Sequence, residues 1–290
     1  MTTVQAGTFR YELIKDWAKL PPGEEFAIVS AVATDSQDRV YVFQRKDPPV
    51  MVFDRNGNYL SCWGISAISD PHGFYIEKDI AYLTDRADSV VAVYTLDGKP
   101  LQIIGKRGVH SDTGCEKPLD LPPRSAGPFN YPTELVPSPS GDLYATDGYR
   151  NARVHRFDSE GRLIASWGEP GKTAPNQFHL PHSLIIDGGR IYVCDRENSR
   201  IQVFSMEGQF LAMWTDVQLP TDISIYDGDF YVSQLTSEGR PPRISILDKE
   251  GKTLARWDSR SAHGLWVDAH GDVYLALTQD KSVDKYVRVR

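Results

Sequence analysis

The chain has 290 residues, 40% of them hydrophobic, a formal net charge of −7 at pH 7 and three cysteines. An acidic balance without a Lys/Arg cluster argues against nucleic acid as a partner, and no stretch approaches the ~20 apolar residues of a membrane span, so no membrane association is expected. Cys62, Cys115 and Cys194 are too few, and odd in number, for a disulfide framework.

The N-terminus, MTTVQAGTFRYELIKDWAKLPPG, has neither the basic start nor the apolar run of a signal peptide. A cytoplasmic protein whose thiols are each buried or inert is the expectation. No composition break or Gly/Ser tract marks a linker, which points to one domain over 1–290.

The first predicted strand lies in FRYELIKDWAKLP (9–21), which ends its pattern at Trp17. From residue 30 a four-part phrase follows: SAVATD (30–35), DRVYVFQR (38–45), VMVFDRNG (50–57) and NYLSCWG (58–64). The second copy reads PHGFYIE, DIAYLTDR, VVAVYTLDG and KPLQIIG over 71–105, and a long connection, 105–130, separates it from the third. That third copy is YPTELVPSPSGDLYATDGYRNARVHRFDSEGRLIASWG, over 131–168. The fourth contains LPHSLIID, GRIYVCDR, RIQVFSMEG and QFLAMWT over 180–215, and the fifth LPTDISIY, GDFYVSQL, RISILDKEG and KTLARWD over 219–258. The sixth supplies its first runs from AHGLWVD and GDVYLALT (262–278) onward but has no fourth run.

Each run is short, alternating or β-branched, and bounded by Gly, Asp, Asn or Pro, which is a strand signature. Self-similarity at this period signals a propeller or solenoid. The missing sixth copy of the fourth run is supplied by the N-terminal strand, and such a permutation closes a ring and removes exposed edges. The expected fold is therefore all-β, a six-bladed β-propeller. The phrase resembles the NHL repeat, a likeness that covers nearly the whole chain and implies a fold without specifying a function.

His72, His182 and His263 begin the inner strand of every second copy. A lone histidine is usually structural, but three at alternate equivalent positions would converge from alternate blades. Three neutral imidazoles at one mouth make a metal site with room for a substrate. The ion would be divalent, with zinc first and iron, manganese or cobalt as alternatives. His155, His179 and His270 lack this symmetry and are expected to be structural or at the surface.

The turns after the second runs fall on the same face and carry Arg45, Arg86, Tyr149 and Arg196. Rim arginines are often only salt-bridged, and a rim tyrosine only packed. Arginines beside a cationic metal call for an anion, and the guanidinium fork suits a carboxylate. A phenol near a divalent cation and an arginine is a candidate proton acceptor. Loop 105–130, with His110 in it, is a candidate lid, since long loops in compact repeats are more often functional than not; Arg86 and His110 are assigned to substrate binding.

The motifs TDGYRNARV, SWGEPG, QFHLPHSL and DRENSRIQVF, dense between 131 and 204, resemble the peptidyl-α-hydroxyglycine α-amidating lyases. The resemblance implies that His72, His182 and His263 bind a catalytic zinc, that Tyr149 is the catalytic tyrosine, and that Arg196 and Arg45 are the active-site arginines. It departs in two places. Gly264 stands where that family has an Asp contributing to a structural calcium, which counts against the calcium, and Arg150 stands where the family has a cysteine.

The expected activity is a metal-dependent C–N lyase acting on a small, carboxylate-bearing α-hydroxy amide and releasing an amide and an aldehyde such as glyoxylate. Two alternatives are a metal-dependent hydrolase of a small lactone or amide, and a non-catalytic NHL binding module. The sequence sets neither the exact substrate nor the oligomeric state.

Overall fold

The computed structural model describes residues 2–289. Among them the only helical element is a single 3-10 turn at Arg196–Asn198, so no helix is long and apolar enough to cross a membrane. Six sheets correspond to the six copies of the repeated phrase, and the fold is the six-bladed β-propeller that the repeat predicts. Two compact units divide the chain: Met1–Ile68 with Thr221–Arg290, and Ser69–Pro220.

The first unit carries three sheets. One runs through Val29–Thr34, Val40–Gln44, Val50–Phe53 and Tyr59–Trp63, and another through Pro220–Tyr226, Asp229–Gln234, Arg243–Leu247 and Thr253–Asp258. The third joins Gly264–Val267, Val273–Leu277 and Ser282–Arg288 to the N-terminal strand Phe9–Ile14. Tyr11 pairs there with Arg288 and Ile14 with Lys285, so the strand from the chain start does complete the last blade. A fifth strand, Thr2–Ala6, adds to its outer edge and was not foreseen. Trp17 anchors the closure: it is 3% exposed, its amide donates to the Val283 carbonyl at 2.8 Å, and its ring meets Phe53 and Tyr274 edge-on.

The second unit carries the sheets of the second, third and fourth copies. Their strands are Pro71–Glu77, Ile80–Asp85, Val90–Thr95 and Pro100–Ile104; Pro132–Pro137, Leu143–Asp147, Arg153–Phe157 and Leu163–Trp167; and Pro181–Asp187, Arg190–Asp195, Arg200–Ser205 and Phe210–Trp214. A short parallel pair, Glu169–Pro170 with Gln177–Phe178, fills the crossover between the last two and was likewise not predicted. Val136, Tyr144, Val154, Trp167, Leu184, Val193 and Phe204 form the apolar filling of these two sheets. Each such side chain contributes roughly 1.5–3 kcal/mol on burial.

The hairpins between third and fourth strands share one device. Asp54, Asp158 and Asp248 each accept backbone amides two and four residues ahead at 2.8–3.0 Å. Gly57, Gly161 and Gly251 then take φ near +80°, which a side chain would strain. Thr95 and Ser205 hold the same place in the second and fourth copies, each accepting the amide four residues on.

The three thiols, expected to be buried or inert, differ in exposure. Cys194 is buried, Cys115 is half-buried and Cys62 is exposed, the last on an outermost strand in which Leu60 and Ser61 are exposed as well.

Candidate functional site

Strand register slips where the inner strands begin: between Pro71 and Phe74, Pro132 and Glu134, and Pro181 and Ser183 in one unit, and between Val29 and Ala31 in the other. A bulge turns its extra residue away from the ladder and re-aims the side chain. The re-aimed residues include His72, Thr133, His182 and Ser30, so histidines alternate with small hydroxyl residues.

Two of the hydroxyl residues, Thr133 and Ser30, orient His72 and His263 through their backbone. His72 is 1% exposed and its Nδ1 donates to the Thr133 carbonyl at 2.7 Å. In the other unit His263 Nδ1 donates to the Ser30 carbonyl, also at 2.7 Å. A carbonyl only accepts, so the ring proton sits on Nδ1 and Nε2 carries the lone pair, as metal ligation requires. His72, His182 and His263 are the residues that could hold a metal ion.

Glycine permits this approach. A Cβ on Gly73 would stand 2.3 Å from the Thr133 carbonyl oxygen, and one on Gly264 would stand 2.8 Å from that of Ser30. Gly264, the departure from the lyase pattern, thus sits where a Cβ would crowd the carbonyl that holds His263.

Tyr149 shares the second unit with two of the histidines. It is 6% exposed; its hydroxyl lies 3.3 Å from His182 Nε2, and its ring meets that of His72 edge-on at 5.1 Å. The two imidazole centroids are 4.9 Å apart. Arg196 Nη1 donates to the Tyr149 hydroxyl at 3.4 Å, while its Nε donates to Glu197 at 2.9 Å. Arg86 lies over the Tyr149 ring at 4.6 Å and is paired with Asp70 at 2.8 Å. Gly148 is needed just before the tyrosine, because a Cβ there would lie 2.3 Å from the Pro181 carbonyl oxygen.

Buried Asp147 fixes the turn that carries Tyr149. It accepts the Asn130 amide, the Asn151 side-chain amide at 2.8 Å and His155 Nε2 at 3.3 Å. Asp85 and Asp195 hold the corresponding turns of the flanking sheets, Asp85 accepting the Ser69 amide at 2.7 Å and Asp195 accepting Arg200 Nε at 2.6 Å.

The structure gathers His72, His182, Tyr149, Arg196 and Arg86 within one unit. Arg45 belongs to the other, where it follows the strand Val40–Gln44 and donates its amide to the Ile28 carbonyl at 2.9 Å. His110 bonds the Ser89 hydroxyl at 2.7 Å and meets the Tyr131 ring at 5.5 Å. Loop 105–130 is tied to the site, with the Leu119 amide donating to the Tyr149 carbonyl at 3.3 Å and His179 Nε2 donating to that of Leu119 at 2.9 Å.

Sequence reasoning missed the orienting role of Thr133 and Ser30. Their signal was present as hydroxyl residues in the copies between the histidine-bearing ones. It also passed over Tyr131, whose ring is approached by Arg150 at 4.4 Å and by Arg86 at 5.8 Å.

A model of the NHL repeat matches residues 178–204. The chain is 31% identical over 305 residues to human NHL repeat-containing protein 3, an alignment covering 96% of this chain and 84% of that one. It is 27% identical over 300 residues to a probable peptidyl-alpha-hydroxyglycine alpha-amidating lyase of Caenorhabditis elegans, covering 90% of this chain and 83% of the relative. Among solved structures, a streptogramin B lyase superposes with a TM-score of 0.65 at 11% identity, covering 96% of this chain and 98% of that one. At that identity the likeness speaks to fold alone.

Proposed function

This chain belongs to the NHL repeat family, and from that premise and the groups gathered around Tyr149 we propose that it is a metal-dependent carbon–nitrogen lyase. Its substrate would be a small carboxylate-bearing α-hydroxy amide, cleaved to an amide and an aldehyde such as glyoxylate. The observation that carries this reading is the buried Tyr149 hydroxyl, 3.3 Å from His182 Nε2 and 3.4 Å from Arg196 Nη1.

His72, His182 and His263 would hold the cation, a fit supported by the carbonyl-held Nδ1 atoms of His72 and His263. A divalent ion bound there supplies Lewis-acid polarisation of a substrate oxygen; zinc is the leading candidate for a donor set of three imidazoles. The chain's own residues do the rest. The Tyr149 oxygen accepts the substrate hydroxyl proton. As the C=O bond forms, the C–N bond breaks and its electron pair passes to nitrogen, which takes up the proton. No other reactant is consumed. Arg196 holds the carboxylate and the charge that develops beside it, with Arg45 as its proposed partner. Burial of Tyr149 and the loop tied to its carbonyl exclude water from the proton transfer.

The test is metal analysis of the purified protein followed by aldehyde detection on N-acyl-α-hydroxyglycines. A lyase leaves the acyl part as a primary amide, whereas a hydrolase leaves a carboxylic acid. Stoichiometric metal that disappears in His182→Ala, together with amide product, is the expected result. Absence of metal, or acid as product, would overturn it.

A further inference from the structure

Arg150 is a half-buried cation without a counter-ion among the described residues, in a chain whose net charge is −7. Its Nε is buried and makes no hydrogen bond. By contrast Arg86 is paired with Asp70 at 2.8 Å and Arg196 with Glu197 at 2.9 Å. A buried N–H donor left without an acceptor is costly, and a ligand oxygen would satisfy it.

The surroundings hold this guanidinium in place. The Arg150 carbonyl accepts the hydroxyl of fully buried Thr113 at 2.6 Å, and the guanidinium carbon lies 4.4 Å from the Tyr131 ring centroid. Tyr131 is itself fixed in a left-handed conformation, φ +63°, with its amide donating to Ser89 Oγ at 3.1 Å and its carbonyl accepting the Tyr149 amide at 3.3 Å. The platform is therefore built directly onto the backbone of Tyr149. Arg86 reaches from the Tyr149 ring at 4.6 Å to the Tyr131 ring at 5.8 Å.

His110 adds an imidazole. Ser89 Oγ accepts from the Tyr131 amide and lies 2.7 Å from His110 Nδ1, so one side chain ties both residues together. Three side chains, Arg150, Arg86 and His110, thus surround one phenol ring, two of them cationic.

We propose that Arg150, seated on Tyr131 and assisted by Arg86 and His110, binds a second carboxylate at the end of the substrate away from the bond that breaks. The proposal rests on the lyase reading and narrows it: the acyl group of the α-hydroxy amide is acidic, so the substrate is a small dicarboxylate. The aromatic face fixes the plane of the guanidinium fork, and a carboxylate takes that fork bidentately.

Two unreactive analogues test it on the metal-loaded protein by titration calorimetry: N-succinylglycine, with an acidic acyl tail, and N-butyrylglycine, with a neutral one. The native protein should bind the succinyl compound about tenfold or more tightly than the butyryl compound, the worth of a charge-assisted hydrogen bond. Arg150→Gln should bring that ratio to near unity. Arg150→Lys, which keeps charge but loses the planar fork, should leave an intermediate ratio and guards against a misfolded Gln variant. Equal binding by the native protein, or a full preference surviving in both variants, would overturn the second carboxylate site and leave the lyase reading standing. Failure of both analogues to bind would overturn the two together.

Discussion

The Tyr149 hydroxyl stands 3.3 Å from His182 Nε2, a nitrogen of the proposed metal-binding trio. The phenol that would move the proton is thus placed by a group that would position the cation, and loss of one need not remove the other. Tyr149→Phe should keep stoichiometric metal while lowering turnover by ~10²–10⁴-fold, the range of a lost proton-transfer group. Metal analysis beside aldehyde release checks both halves; turnover within a few-fold of native would remove Tyr149 from the chemistry.

The carbonyl clamps on the imidazoles depend on glycine. Gly73→Ala would set a Cβ 2.3 Å from the Thr133 oxygen that orients His72. The outcome expected is a ~10–100-fold loss of metal affinity, the usual consequence of disturbing an orienting partner, with a stability loss of ~1–3 kcal/mol from overpacking. Competition with a chelator measures the first and denaturant unfolding the second. Unchanged metal affinity would show that Thr133 does not position the ligand.

Closure by the N-terminal strand converges on Trp17, packed against Phe53 and Tyr274. Trp17→Ala should cost ~3–5 kcal/mol, as for other buried Trp truncations. A midpoint shift in urea reads this directly, and a loss below ~1 kcal/mol would mean that the strand closes the blade without its anchor.

Asp272 offers a pH test. Burial would raise its pKa, but hydrogen bonds from the Arg288 amide at 2.9 Å and Arg55 at 2.7 Å, with Lys285 at 3.0 Å, outweigh it and hold the carboxyl below the usual range. A depressed folded pKa means the unfolded chain binds the proton first as pH falls. The carboxylate's stabilisation is therefore complete above the unfolded value near ~4 and is lost as pH falls towards the folded value. Asp272→Asn should destabilise the protein at neutral pH, by up to ~3–5 kcal/mol for a broken buried ion pair. It should also flatten the decline in stability below pH ~4. A variant as acid-sensitive as native would assign that decline to other carboxylates.

The repeat made the fold legible. Alternating strands, Gly-bearing hairpins and the permuted N-terminal run each have local causes, and local patterns are written in neighbouring residues. The strands Thr2–Ala6 and Glu169–Pro170 escaped notice because two to five residues at an edge carry too little periodicity to stand out.

For the candidate site, sequence determined which residue types recur at which blade position: His72, His182 and His263 in alternate copies, Tyr149 and Arg196 at the turns. Only tertiary structure decided how each ring is held. His72 is oriented by a carbonyl 61 residues away and His263 by one 233 residues away. The same is true of Arg150, a substitution without evident purpose in the sequence that becomes a cation on Tyr131 once the chain folds. A backbone carbonyl has no letter in a sequence, and stacking depends on approach in space, so neither could be read before the strands were assembled.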